Sequence, residues 1–370
     1  MDKKKFSPDR LIWARKRKGL NQSSLAKILE VDSRAVRAWE AGEYEPTGAN
    51  FVALCSALDV PEQFFTLPAM TGPEPEQASF RSLSKMSATK RDIALAKGAF
   101  AFEFASWLER RFNLPEQDIP DLGRGIDPET AAIALREYWG LGQRPITNMV
   151  HLLEAKGVRV FSLSIDAKEV DAFNVWDGAI PFVFLNTKKT AAHSRFDAAH
   201  ELGHLVLHRH GEYSGQISEK EANDFASAFL MPKSDILALA PKFPTVASLI
   251  SSKKRWGVSV AALTVRLHRV GMLSDWQYRT LFKQISQVGL RTKEIDDEVR
   301  EKSSILEYCL QDLMRDGKTV SHISQELNFS ETIIKDLIFD LAIVSIEGSA
   351  TNPTPNRSGS PRLVVDNTRR

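Results

Sequence analysis

His200, Glu201 and His204 form the HExxH spacing, the clearest chemical signal in this chain. Four residues apart on a helix, two imidazoles lie one turn above each other and can reach a single metal ion. The intervening glutamate falls beside them, where it can take a proton from a water at that ion. Phe196, Ala198, Ala199, Leu202, Leu205, Val206 and Leu207 make the flanks mostly apolar, as befits a helix at the centre of a domain. The ion that suits such a pair is Zn2+, which in catalytic sites takes three protein ligands and keeps one position open.

The third ligand has two candidates. His210 stands ten residues after His200, the spacing of HExxHxxGxxH, but Leu207 occupies the glycine position that would turn the chain back. His210 and His208 therefore read as helix-end residues with carbonyl or solvent partners. Glu219 fits better. Ser218 to Glu221 resembles a capping box, with Ser218 as N-cap, opening a helix that stops near Pro232. Its inward stripe runs Ala222, Asn223, Ala226, Phe229 and Leu230, small enough at the alanines to lie close against another helix. A carboxylate on that face is costly to bury unless a cation or metal pairs with it. Asn223, one turn on, is placed to hold the free edge of a ligand. Glu221 and Asp224 lie further round and are expected in solvent. The alternative stays open that Glu219 is an exposed first-turn acid favoured by the helix dipole.

The run RFDAAHELGHLVLH to EKEANDFASAFLMP resembles the ImmA/IrrE family of metallopeptidases, and the likeness extends over roughly residues 145–290. It implies zinc held by His200, His204 and Glu219, with Glu201 as general base. It also implies a substrate class, since such relatives cleave helix-turn-helix repressors. An oxyanion donor is usual in such sites, and His193, Tyr213 and His151 are all candidates. An edge strand beside the active helix, from FNVW or PFVFLN, would pair with extended substrate.

The same chain opens with a second kind of signal. Residues 10–65 read as five short helices, with NQSSLAKILEV capped by Asn21 and SRAVRAWEAG capped by Asp32 and ended by Gly42. Helix, tight turn, helix is the layout whose second helix enters the major groove. GLNQSSLAKILEVDSRAVRAWEAGEYEP is similar to the XRE or Cro-type family. That likeness implies Gln22 capping and touching phosphate, and Ser33, Arg34 and Arg37 facing bases or backbone. The first 37 residues hold eleven basic and four acidic side chains, although the whole chain is only +2. Such a face favours phosphate contact, partly offset by Asp32 and Glu40.

These motifs need a scaffold, and 370 residues with 43% hydrophobic and 26% charged are ordinary for two or three globular domains. The expected fold is mainly α with a small β-sheet (α+β). Its parts are a five-helix helix-turn-helix domain at 6–68, a Pro/Glu/Gly linker at 69–87 and a zincin-like peptidase domain at 88–290. A helical C-terminal region at 291–346, itself helix-turn-helix-like with Ser330 as N-cap, and a disordered tail at 347–370 follow. VRVFSL and FNVWDGAIPFVFLN read as strands, and the aromatic stripe of AFAFEFASWLERRF reads as core. No apolar run nears the ~20 residues of a membrane span, and no signal-peptide core is apparent. Cys55 and Cys309 read as isolated thiols of a reducing, cytoplasmic setting.

Three functional readings follow. One is a zinc endopeptidase tethered to a reader of a double-stranded DNA operator, cutting a repressor-like or antitoxin-like protein, or itself. Another is a transcription regulator whose metal site senses or stabilises without turnover. The third is a toxin–antitoxin component. Glu201 separates the first from the second, because a purely structural zinc site needs no carboxylate there. A Cro-type module also implies a homodimer on a palindromic site.

Overall fold

In the computed structural model the protein is mainly α-helical with one small sheet. The structure describes residues 5–74, 87–123, 125–163, 172–209, 215–290, 294–295 and 299–342. The linker beyond 74, His210, Tyr213 and the proposed tail lie outside the described residues. Two compact units emerge. The first takes in Met1–Glu74, Met86–Glu116 and Ser304–Arg370, the second Pro75–Lys85 and Gln117–Ser303.

In the first unit, α1 (Pro8–Arg17) starts with proline, whose fixed φ suits a first turn. Helix α2 (Gln22–Ile28) is capped by Asn21, whose side chain accepts from the Ser24 N–H at 2.7 Å. Helix α3 (Ser33–Ala41) is capped by Asp32, accepting from the Arg34 N–H at 2.8 Å, and stops at Gly42, where φ is +71°. Helix α4 (Ala49–Leu58) and a 3-10 turn (Glu62–Thr66) complete the five helical pieces. All of these pack around α5 (Ala88–Glu109) or one another. Residues 88–109, grouped at the sequence level with those up to 290, thus belong to the first unit. The reason is aromatic: Phe100 stacks on Phe64 at 5.7 Å and meets Phe329 edge-on at 5.0 Å. Phe329 lies between α15 (Val320–Leu327) and α16 (Glu331–Ile338), which follow α14 (Ser304–Arg315).

The second unit centres on a three-stranded sheet of order β1-β3-β2, from β1 (Arg159–Ser162), β2 (Ala172–Asp177) and β3 (Ile180–Leu185). Strand β1 runs parallel to β3, and β2 antiparallel to it through a turn at Gly178, where φ is +58°. Phe173 and Phe184 stack across that pair at 4.5 Å. Before the sheet come α6 (Pro128–Tyr138) and α7 (Met149–Ala155). After it come α8 (Ala191–Leu207) and α9 (Gln216–Leu230), then α10 (Lys233–Leu239), α11 (Val246–Lys253), α12 (Val260–Arg269) and α13 (Asp275–Gln287).

Helix α8 carries HExxH and is buried along almost its whole length between the sheet and α9. The two helices approach so closely that a methyl placed at Gly203 would sit 3.0 Å from Phe225 Cδ1 and 3.2 Å from the Ala222 Cα. The far end of α9 is fixed by buried guanidinium groups. Arg136 donates to the Phe229 carbonyl at 2.6 Å and to the Gly142 and Arg144 carbonyls. Arg266 donates to the Met231 carbonyl at 2.9 Å and pairs twofold with Glu129 at 2.6 Å. These bonds satisfy carbonyls that a helix end leaves without intrahelical partners. Among the described residues no helix is long and apolar enough to cross a membrane.

Two substitutions test this frame. Gly203→Val should cost about 1–3 kcal/mol through overpacking, read as a lower melting temperature of the metal-free chain. Arg136→Met should cost a similar amount or more, since it strands buried carbonyls at about 1–3 kcal/mol each. Unchanged melting in both would show that the α8–α9 contact is not tight.

Candidate metal centre and DNA-reading surface

His200 and His204 stand on α8 with their Nε2 atoms 3.1 Å apart. Glu219, in the first turn of α9, brings Oε2 to 3.8 Å of His200 Nε2 and Oε1 to 3.5 Å of His204 Nε2. One ligand atom from each of the three lies within 4.8 Å of the others, and no other such group occurs among the described residues. Two donors each ~2 Å from a tetrahedral zinc stand ~3.3 Å apart, so the observed separations bracket the required value. Two imidazoles and a carboxylate are also the donor set that zinc accepts. The residues fit the ion. His200 is buried, and burial together with neighbouring His204 pushes its pKa down to about 3. Its imidazole is therefore neutral around pH 7, as a metal ligand must be.

Glu219 reaches this position by a route different from the expected one. Helix α9 begins at Gln216 after Gly215, so Ser218 is already inside the first turn, and its hydroxyl donates to the Gly215 carbonyl at 3.3 Å. The earlier start leaves Glu219 facing α8, with its side chain only 13% exposed. Asn223, one turn on, brings Oδ1 to 3.2 Å of His200 Nδ1.

Glu201 is buried, and one of its oxygens, Oε2, accepts from Asn174 Nδ2 at 2.6 Å. Asn174 lies on β2 and is fully buried, and its Oδ1 has no hydrogen-bond partner among the described residues. Sequence reasoning passed over it. The signal available was one amide in an otherwise apolar strand, FNVW. His208 is a helix-end residue, as expected, but its partners are side chains. His208 Nδ1 lies 3.0 Å from His204 Nδ1, and its Nε2 lies 2.8 Å from Glu221 Oε2. Glu221 keeps solvent access, with its side chain 37% exposed, and also reaches His208 at the end of α8.

Strand β3 has neighbours on both sides, so PFVFLN cannot be an edge; among the described residues β2, with FNVW, pairs with β3 alone. Of the oxyanion candidates, His151 is exposed on α7 and His193 is exposed near the start of α8, and neither joins the three-ligand group.

On the candidate DNA-reading surface, Arg34 and Arg37 are exposed on α3 and Ser33 is half-buried at its start. Capping of α2 falls to Asn21; the Gln22 carboxamide donates instead to Glu40 Oε2 at 2.7 Å. Glu40 also receives Arg15 and is itself nearly buried, at 6% side-chain exposure. Asp32 is occupied as a cap. Both acids that offset the basic face are thus paired within the domain, and the exposed arginines of α3 keep their charge toward solvent.

Two family descriptions match the chain. The helix-turn-helix family matches residues 11–65. A peptidase family described as the IrrE N-terminal-like domain matches residues 153–268, which contain His200, Glu201, His204 and Glu219. No curated protein matches. The chain couples a DNA-binding helix-turn-helix domain to a domain of a peptidase family.

Asp197, one turn before Glu201, is buried, and its Oδ2 has no hydrogen-bond partner among the described residues. Burial pushes its carboxyl up to about 7, against a smaller pull from Lys189. A raised folded-state pKa means a contribution that is intact at low pH and lost as pH rises through the folded value. Asp197→Asn should therefore leave stability unchanged near pH 4 and raise the melting temperature by several degrees at pH 8. A gain independent of pH would contradict this assignment.

Proposed function

We propose that the chain is a zinc-dependent endopeptidase that works where its helix-turn-helix domain binds DNA, cutting a repressor-like or antitoxin-like protein to change gene expression. The observation that carries this reading is Glu201, held at Oε2 by Asn174 beside a three-ligand cluster. A metal site that only stabilised or sensed would not need a buried carboxylate there, nor an amide from the neighbouring strand to hold it. The proposed parts are a DNA-reading domain at 6–68, a peptidase domain within 88–290 whose leading helix α5 packs in the first unit, and an appended helical region at 291–346, in a cytoplasmic homodimer.

His200, His204 and Glu219 would hold the ion, which when bound lowers the pKa of a water and polarises a peptide carbonyl. Glu201 takes a proton from the attacking water and passes it to the leaving nitrogen as the C–N bond breaks. Asn174 keeps that carboxylate at a fixed angle through both transfers. Strand β2 offers its outer side to an extended substrate segment, whose main chain would add to the sheet. Arg34 and Arg37 contact the operator, and Ser33 and Gln22 lie at the helix starts that flank it.

The purified full-length chain should carry one zinc, lost in His204→Ala and Glu219→Ala. Glu201→Gln should keep the metal and lose cleavage of a helix-turn-helix repressor by about 10²–10⁴-fold. Metal retained in Glu219→Ala would sink the ligand set. Zinc and DNA binding without any cut product would return the chain to a metal-bearing regulator. Arg34→Ala and Arg37→Ala should each weaken DNA binding and flatten its salt dependence, by about one counterion where the contact is to phosphate. Binding unchanged in both would move the DNA contact elsewhere.

A further inference from the structure

We propose that His208 and Glu221 are positioning residues of the metal centre, a carboxylate–imidazole–imidazole chain that fixes which nitrogen of His204 faces the metal. The proposal rests on the zinc reading above and assigns a role to two residues that supply no ligand.

His208 is the C-cap of α8, one turn beyond His204, and is 7% exposed. Its Nε2 meets Glu221 Oε2 at 2.8 Å, and its Nδ1 meets His204 Nδ1 at 3.0 Å. An ionised carboxylate only accepts, and a neutral imidazole has one N–H and one acceptor nitrogen. With His208 neutral, its proton is on Nε2, donated to Glu221. That leaves Nδ1 of His208 as an acceptor, so the proton of His204 is on its own Nδ1. The lone pair of His204 Nε2 then faces His200 and Glu219. With a neutral His208, these contacts run in one direction, set at Glu221.

The other ligand histidine is held differently. His200 Nδ1 meets the side-chain amide of Asn223, a group with both donor and acceptor atoms. Such an amide accommodates either tautomer by rotation, whereas an ionised carboxylate does not. Among the described residues, His204 is the imidazole of the two that meets a carboxylate-bound partner. The geometry also explains the histidine eight residues after His200: it is too far along the axis to bind the same ion, yet one turn from His204.

Partners behind a metal-bound histidine typically contribute 10–100-fold in metal affinity. The test is zinc competition titration of the full-length protein against a chromophoric chelator, with 15N spectra of the histidine rings in the metal-free state. His208→Phe and Glu221→Ala should each lower zinc affinity by about 10–100-fold, with far-UV circular dichroism and DNA binding unchanged. Glu221→Gln, whose amide can accept or donate, should recover little of the loss and leave His204 a tautomer mixture. The 15N spectrum should show His204 protonated at Nδ1 in the parent chain and a tautomer mixture in both disrupted variants. Zinc affinity within threefold of the parent in both, with the His204 spectrum unaltered, overturns the proposal. A parent chain that takes up no zinc defeats the metal reading alone, and the metal-free ring spectra still decide the relay.

Discussion

The close approach of α8 and α9 is the constraint on which the rest of the second unit depends. His200 and His204 come from one helix and Glu219 from the other, so the three donor atoms meet only if the axes nearly touch. Gly203 permits this, since a side chain there would run into Ala222 and Phe225. The contact is sequence-economical: the glycine lies inside HExxH itself, in one of its two unspecified positions. The same approach brings Asn223 against His200 and Glu221 against His208. One steric allowance therefore places the ligands and the groups behind them.

Charge is handled in both units by pairing it inward. In the first unit, Arg15 and Gln22 converge on Glu40, and Arg10 pairs with Glu103 on α5. In the second, Arg136, Arg195 and Arg266 each donate to main-chain carbonyls. Guanidinium suits this use because it presents several donors in a fixed plane and stays charged when buried. Against that background Asp197 stands out, as a carboxyl on the HExxH helix that no cation or donor fully answers among the described residues.

Much of this was legible in the sequence, and the reasons differ by element. Caps were readable because Asn21, Asp32, Gly42 and Ser330 act locally, and each occupies the expected end. Strands were readable from apolar alternation, but not which of them is the edge. That depends on β1 pairing with β3, a contact between distant residues. HExxH exposed His200, Glu201 and His204 by spacing alone, and an acid on a small-residue face exposed Glu219. Asn174 and the His208–Glu221 pair were out of reach, since each matters only through what a separate element brings beside it. Helix α5 was read as core, but its partners, Phe64 and Phe329, are remote in sequence and could not be assigned.

Helix α9 is clasped at its C-terminal end by Arg136 and Arg266 and offers a ligand from its first turn. From Glu219 to Phe229 the axis spans ~15 Å at 1.5 Å per residue. The helix is thus a lever arm, and a tilt of only ~5° about the clasped end swings the carboxylate by ~1 Å over that length. Metal–ligand distances in a well-formed site agree with their ideal values within about 0.2 Å. Substitutions around the clasp can therefore detune the ion's grip while every ligand remains intact, and evolution or engineering has a handle on metal affinity well away from the metal.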